Sequence, residues 1–192
     1  MRKTALLLGL AVSAGLLAAG PAAANSPGYP PSNQAVIISN ASTGFYLQTD
    51  NQNENQPQGV QVWSPWPLAN GGSGAIWRLK PLYGNHYTIE TEPIKNPTPV
   101  CLTVPNSAKD NFPLTVTNCD GGPAQDWIVR EDGTSETYTI SPAGANFRQW
   151  AITSQSQNYP AQDVYVTLRH FTGTNAPTNM RWKIDATKVP AA

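Results

Sequence analysis

Three tryptophans recur at near-even spacing. Trp77, Trp127 and Trp182 stand 50 and 55 residues apart, and each opens a short run that alternates apolar and polar residues. Three further runs of this kind precede each tryptophan. The first set is Ala35 to Ser39, Phe45 to Thr49, Val60 to Trp63 and Trp77 to Lys80. Tyr87 to Glu90, Cys101 to Val104, Leu114 to Thr117 and Trp127 to Arg130 make the second. The third is Tyr138 to Ser141, Trp150 to Thr153, Val164 to Thr167 and Trp182 to Asp185. Turn chemistry separates the runs, as in Asn40 to Gly44 and Ala69 to Gly74. Self-similarity at this period marks a repeat architecture. Four short strands cannot bury an apolar face alone, so three such units must pool theirs around a shared axis. The expected fold is all-β: twelve strands closed or capped as a barrel, with pseudo-threefold symmetry.

Only 12% of residues are charged, and Asn, Gln, Ser, Thr, Gly and Pro fill the gaps between runs. This is the composition of a loop-rich exported β domain. Export is also what the start of the chain predicts. Arg2 and Lys3 precede an apolar run from Ala5, and the small residues Ala22-Ala23-Ala24 offer a cleavage site before Asn25. Residues 1–24 are therefore read as a signal peptide. Residues 25–33, NSPGYPPSN, are read as a proline-rich arm, for which a disordered tail is the plain expectation. Residues 34–187 form the repeat domain and 188–192 a short tail. No other long apolar run exists, so no membrane partner is expected after cleavage. Loss of Arg2 and Lys3 leaves ten basic against twelve acidic side chains, a formal charge of −2. The remaining cations are scattered, and without a basic stripe a nucleic-acid partner is not expected.

Cys101 and Cys119, the two cysteines of the chain, are separated by 18 positions. That is enough for a strand, a loop and a return strand, so the two sulfurs are expected to meet as a disulfide across a hairpin. Such a cross-link stabilises by roughly 3 kcal/mol in the chain-entropy view. A thiol pair for metal or redox work would need a ligand or CxxC spacing that is absent.

The second unit resembles a repeat of the ricin B-type β-trefoil lectins. The resemblance rests on Tyr87-Thr88-Ile89, Cys101-Leu102, the second cysteine Cys119 and the Gln-x-Trp of Gln125-Asp126-Trp127. The other two units depart, with Ala75-Ile76-Trp77 and Met180-Arg181-Trp182 and no cysteines. The resemblance implies a β-trefoil, a barrel capped by three hairpins, and a secreted module that binds carbohydrate without catalysis.

A sugar site needs a planar apolar face flanked by groups that hydrogen-bond to adjacent hydroxyls. In the second unit the positions that carry these groups in the family hold Thr103, Thr115 with Thr117, and Ala124, so this unit is expected to hold the fold and not to bind. The third has Tyr165 at the Gln position, Thr167 at the aromatic one and Asn179 before Met180, with His170 and Phe171 following. The first keeps more: Gln61-Val62-Trp63 matches the Gln-x-aromatic, and Gln48, Asp50 and Asn51 stand near the place of the family's Asp. Gln48, Asp50, Asn51, Gln61 and Trp63 are the candidate carbohydrate-binding residues.

Catalysis lacks its usual parts. His86 and His170 are the only histidines, both read as surface-loop residues, and there is no HExxH, GxSxG or phosphate loop. Glu90 and Glu92 alternate on one strand and read as a solvated face. No cofactor or metal is expected, and DNQNENQPQG lacks the glycine and terminal glutamate of a calcium loop. The competing reading is an exported-protein partner, gripped as by a β-trefoil protease inhibitor, through the proline-bearing loops Glu92 to Pro99 and Asn158 to Gln162.

Overall fold

The computed structural model describes residues 28–49, 58–63, 73–92, 98–104, 109–132, 136–144, 149–154, 164–172 and 175–189. Among them the chain forms thirteen strands: β1 (Ala35–Asn40), β2 (Tyr46–Thr49), β3 (Gln58–Trp63), β4 (Ile76–Pro81), β5 (His86–Thr91), β6 (Val100–Thr103), β7 (Phe112–Pro113), β8 (Thr115–Asn118), β9 (Trp127–Glu131), β10 (Thr137–Pro142), β11 (Trp150–Ser154), β12 (Val164–His170) and β13 (Trp182–Asp185). Six of them close a barrel. β1 pairs with β4, β4 with β5, β5 with β9, β9 with β10, β10 with β13, and β13 returns to β1, every pair antiparallel. The other long strands make three hairpins, β2–β3, β6–β8 and β11–β12. β3 bonds to both β8 and β12, so the hairpins join each other as a cap. Closure leaves the barrel without free edges. This is a β-trefoil.

The alternating runs explain the packing. Val36, Ile38, Leu79, Ile89, Val129, Ile140 and Ile184 from the barrel meet Leu47, Val60, Leu102, Val116, Ile152 and Leu168 from the hairpins in one buried cluster. Trp77, Trp127 and Trp182 are fully buried in it. A buried indole needs a partner for its N–H. Trp77 Nε1 donates to the Leu47 carbonyl at 2.8 Å, Trp127 Nε1 to that of Leu102 at 2.8 Å, and Trp182 Nε1 to that of Ile152 at 3.1 Å. Each bond ties the last strand of a unit to the first strand of its own hairpin, and each is preceded by a one-turn 3-10 segment, Ser73–Ala75, Pro123–Gln125 or Thr178–Met180. The three bonds fix which residues correspond between units.

Three features depart from the sequence reading. A thirteenth strand, β7, pairs with β12 through Thr167–Pro113 and Leu168–Phe112, and β8 starts after Leu114, which is fully buried. Residues 28–33 of the arm are docked, with Pro30 and Pro31 buried. Asn33 N donates to Leu79 O at 2.8 Å and the Tyr138 hydroxyl to Tyr29 O at 3.3 Å. Glu90 is not solvated: it is buried against Lys80 at 2.9 Å, while Glu92, just past β5, takes a two-pronged bond from Arg78 at 2.8 and 2.6 Å. The disulfide forms between Cys101 and Cys119 as expected, with Cα atoms 5.0 Å apart, stapling β6 to the residue after β8.

Replacing Trp127 by Phe keeps the aromatic bulk but strands the Leu102 carbonyl in the core, a loss of about 2 kcal/mol. Urea unfolding of Trp127→Phe is expected to show that drop with an unchanged slope.

Candidate functional site

The best-preserved polar set of the first unit lies on the β2–β3 hairpin. Register places Gln48 directly opposite Gln61, with Tyr46 opposite position 63 and Thr49 opposite Val60. Opposed residues of an antiparallel pair share a face, with Cβ atoms about 5 Å apart. On the far side of β3, Gln61 is opposed by Tyr165 of β12. Gln48, Gln61 and Tyr165 therefore form one row across three adjacent strands. Gln48 and Gln61 are 2% and 5% exposed, whereas Tyr165 is 47% exposed. The Tyr165 ring crosses Gly59, two residues from Gln61 on the same face. A Cβ at Gly59 would lie 2.7 Å from its Cε1, so only glycine admits the ring there. Asp50 and Asn51 lie outside the described residues, as does the side chain of Trp63.

The same positions in the second unit are occupied with one another. Thr103 faces Thr115 across β6–β8, and Thr103 Oγ1 meets Thr117 Oγ1 at 2.7 Å. Gln125 Nε2 donates to Thr117 Oγ1 at 3.0 Å and Asn118 O at 2.8 Å, while its Oε1 accepts from Asp120 N at 2.9 Å and Gly121 N at 3.3 Å. The amide is spent on holding the hairpin and the segment after Cys119, in keeping with a unit that carries the fold. Gln125→Ala would leave buried donors and acceptors unpaired, at a cost of about 2 kcal/mol, and thermal unfolding of the oxidised protein is expected to show it.

In the third unit the register differs from the sequence reading by two residues. Thr153 faces Thr167, and Ala151 faces Arg169, so Thr167 holds the Gln position and Arg169 the aromatic one, not Tyr165 and Thr167. Thr153, Thr167 and Asn179 are all buried; Asn179 Nδ2 donates to Thr153 Oγ1 at 2.9 Å, and Asn40 Nδ2 to Asn179 O at 2.9 Å. The His170 ring, which follows, stacks edge-on against Trp150 with centroids 5.5 Å apart, and the His170 backbone N–H donates to Asp110 Oδ1 at 2.9 Å.

Two other arrangements stand outside the hairpins. A cavity of about 560 Å³ opens where the arm crosses the end of the barrel, lined by Tyr29, Glu131, Glu136, Tyr138, Lys183 and Asp185 among others. Burial, then the charges of Glu131 and Glu136, push the Tyr138 phenol above its ordinary pKa, so it remains a donor. The Thr187 hydroxyl holds Asp185 below the usual carboxylate range. The second arrangement was missed by the surface-loop reading of His86. His86 is half-buried at the head of β5, with Nδ1 2.8 Å from Asp126 Oδ1. The Tyr83 ring stacks on it with centroids 4.1 Å apart and planes at 21°, and the Tyr83 hydroxyl donates to Asp126 Oδ2 at 3.2 Å. The signal for it was the Tyr83-Gly84-Asn85-His86 turn beside the Asp of Gln-x-Trp. Glu90 lies close to Cys101 and Cys119, but both sulfurs are committed to the disulfide and one carboxylate is left as the only metal ligand. Most of the two loops considered for a protein partner, residues 93–97 and 158–162, lies outside the described residues.

Neither a protein-family model nor a curated protein matches the chain. Solved structures do. A designed three-fold symmetric protein, ThreeFoil, superposes with a TM-score of 0.64 at 18% identity, over 79% of this chain and 97% of that one. A ricin B-like lectin of Macrolepiota procera, solved with lactose, gives 0.60 at 15% identity over 81% and 96%. An exo-beta-1,3-galactanase of Clostridium thermocellum gives 0.61 at 20% identity over 82% of this chain but only 31% of the enzyme.

Proposed function

On a ricin B-type β-trefoil fold, we propose that this chain is a secreted carbohydrate-binding protein that acts without catalysis, with the first unit as its site. The observation that carries the reading is the row Gln48, Gln61 and Tyr165: an exposed ring that lies across Gly59, with two nearly buried amides, each able to donate and accept, set beside it. Asp50, Asn51 and Trp63 would complete it with a carboxylate, a further amide and an indole face. In the other two units Thr103 and Thr153, which stand in the place of Gln48, are bonded internally to Gln125 and Asn179. Of the three hairpins, the first is therefore the one left to bind. Export through the residues 1–24 leader agrees with the disulfide, which persists only in an oxidising compartment.

Glycan-array screening of the chain lacking residues 1–24 tests this. Binding to defined glycans is expected, with Trp63→Ala and Gln61→Ala each weakening it about tenfold or more while thermal unfolding stays cooperative. Absence of binding to every bacterial, fungal and plant glycan would sink the reading, and protease inhibition by the same protein would favour the protein-partner alternative.

A further inference from the structure

We propose that Tyr83, His86 and Asp126 form a second carbohydrate contact, where the β4–β5 turn meets the start of β9, and that it takes the C–H face of a neutral pyranose on the Tyr83 ring. It rests on the glycan-binding reading for its class of ligand but shares no residue with the first-unit site.

The turn is preorganised. Leu82 N donates to His86 O at 2.8 Å, His86 N to Tyr83 O at 2.9 Å, and Val129 N to Asn85 O at 2.9 Å, so the turn is bonded at both ends and to β9. Gly84 supplies the φ of +52° that closes it. The ring above this frame is clamped by its hydroxyl to Asp126 and by one face to the imidazole. Yet Tyr83 is 63% exposed, so the opposite face looks into solvent, and exposed Leu82 stands beside it. A ring already fixed in place loses little freedom when a ligand stacks on it.

The residue before the buried tryptophan is Ile76 in the first unit, Asp126 in the second and Arg181 in the third. In the third unit Arg181 is latched to the preceding barrel turn by an ion pair with Asp132, and it also donates to Ala176 O at 2.8 Å. One ion pair is enough to latch a turn there. The second unit uses a carboxylate, an imidazole and an exposed phenol at the same place, and the outer face of that ring takes no part in the latch.

An ionised carboxylate only accepts, so His86 Nδ1 donates in the 2.8 Å contact with Asp126 Oδ1. Both Asp126 oxygens keep further acceptor capacity. An edge rich in acceptors beside an apolar ring suits a ligand with several hydroxyl donors on one side and C–H groups on the other. The same carboxylate repels sialylated and sulfated sugars.

The test uses an array of neutral, sialylated and sulfated glycans, followed by calorimetric titration with the best neutral glycan, on the unaltered protein and on Tyr83→Ala, Tyr83→Phe, Asp126→Asn and Gln61→Ala. Tyr83 is exposed, and thermal unfolding confirms that each variant folds. Expected are two sites per chain in the unaltered protein, one in Tyr83→Ala and one in Gln61→Ala, retained binding in Tyr83→Phe, and about tenfold weaker binding at the second site in Asp126→Asn. Unchanged affinity and stoichiometry in Tyr83→Ala, or a preference for anionic glycans that Asp126→Asn leaves intact, overturns this proposal alone. Loss in Tyr83→Ala with no effect of Gln61→Ala supports it and overturns the first-unit site instead. No binding by the unaltered protein overturns both.

Discussion

Three indole N–H groups, each donated to a backbone carbonyl inside the core, decide how this molecule is assembled. A tryptophan side chain contributes a large apolar surface to the barrel, and its nitrogen can be buried only if a carbonyl is waiting at the right depth. Leu47, Leu102 and Ile152 supply those carbonyls from the first strand of each cap hairpin. The cap is thereby attached to the barrel at three equivalent points, and the remaining apolar side chains fill the space that these attachments define. Barrel closure then satisfies the strand edges that a three-unit sheet would otherwise expose.

With assembly secured by the tryptophans, the residues around them have diverged. Gln125 remains an amide that binds its own hairpin together, while Ala75 and Met180 occupy the equivalent place with no hydrogen bond to give. In place of the amide, the third unit uses Asn179, which ties Thr153 and Asn40 into a buried polar knot. The second unit adds a disulfide. Polar groups committed in this way are not available to a ligand. The first unit, whose amides Gln48 and Gln61 lie beside Tyr165, and the Tyr83 turn, whose ring is bonded to Asp126 yet keeps one face exposed, stand apart chemically.

The fold was legible because its determinants are local and periodic. Alternation within five-residue runs, turn residues between them and the tryptophan spacing encode strand number and symmetry directly. The site was less legible because it depends on register. The third-unit assignment failed by two residues: Thr167, not Tyr165, faces Thr153, and this displacement puts Tyr165 next to Gln61 of another unit. No motif within a single repeat can announce a contact between repeats. His86 and Glu90 were misjudged for a related reason. Each is governed by a partner from a neighbouring strand or turn, Asp126 in one case and Lys80 in the other. The arm was misjudged because proline content argues against a sheet strand but says nothing about docking.

Hydrogen exchange at the indole nitrogens tests the central claim most directly, since the chain has six tryptophans and three of them carry the described core bonds. Followed by NMR in deuterated buffer, the signals of Trp77, Trp127 and Trp182 are predicted to outlast the others and to decay together, at the rate set by global unfolding. Decay of any of the three on the timescale of an exposed indole, or at clearly different rates among them, would contradict an assembly held at three equivalent points.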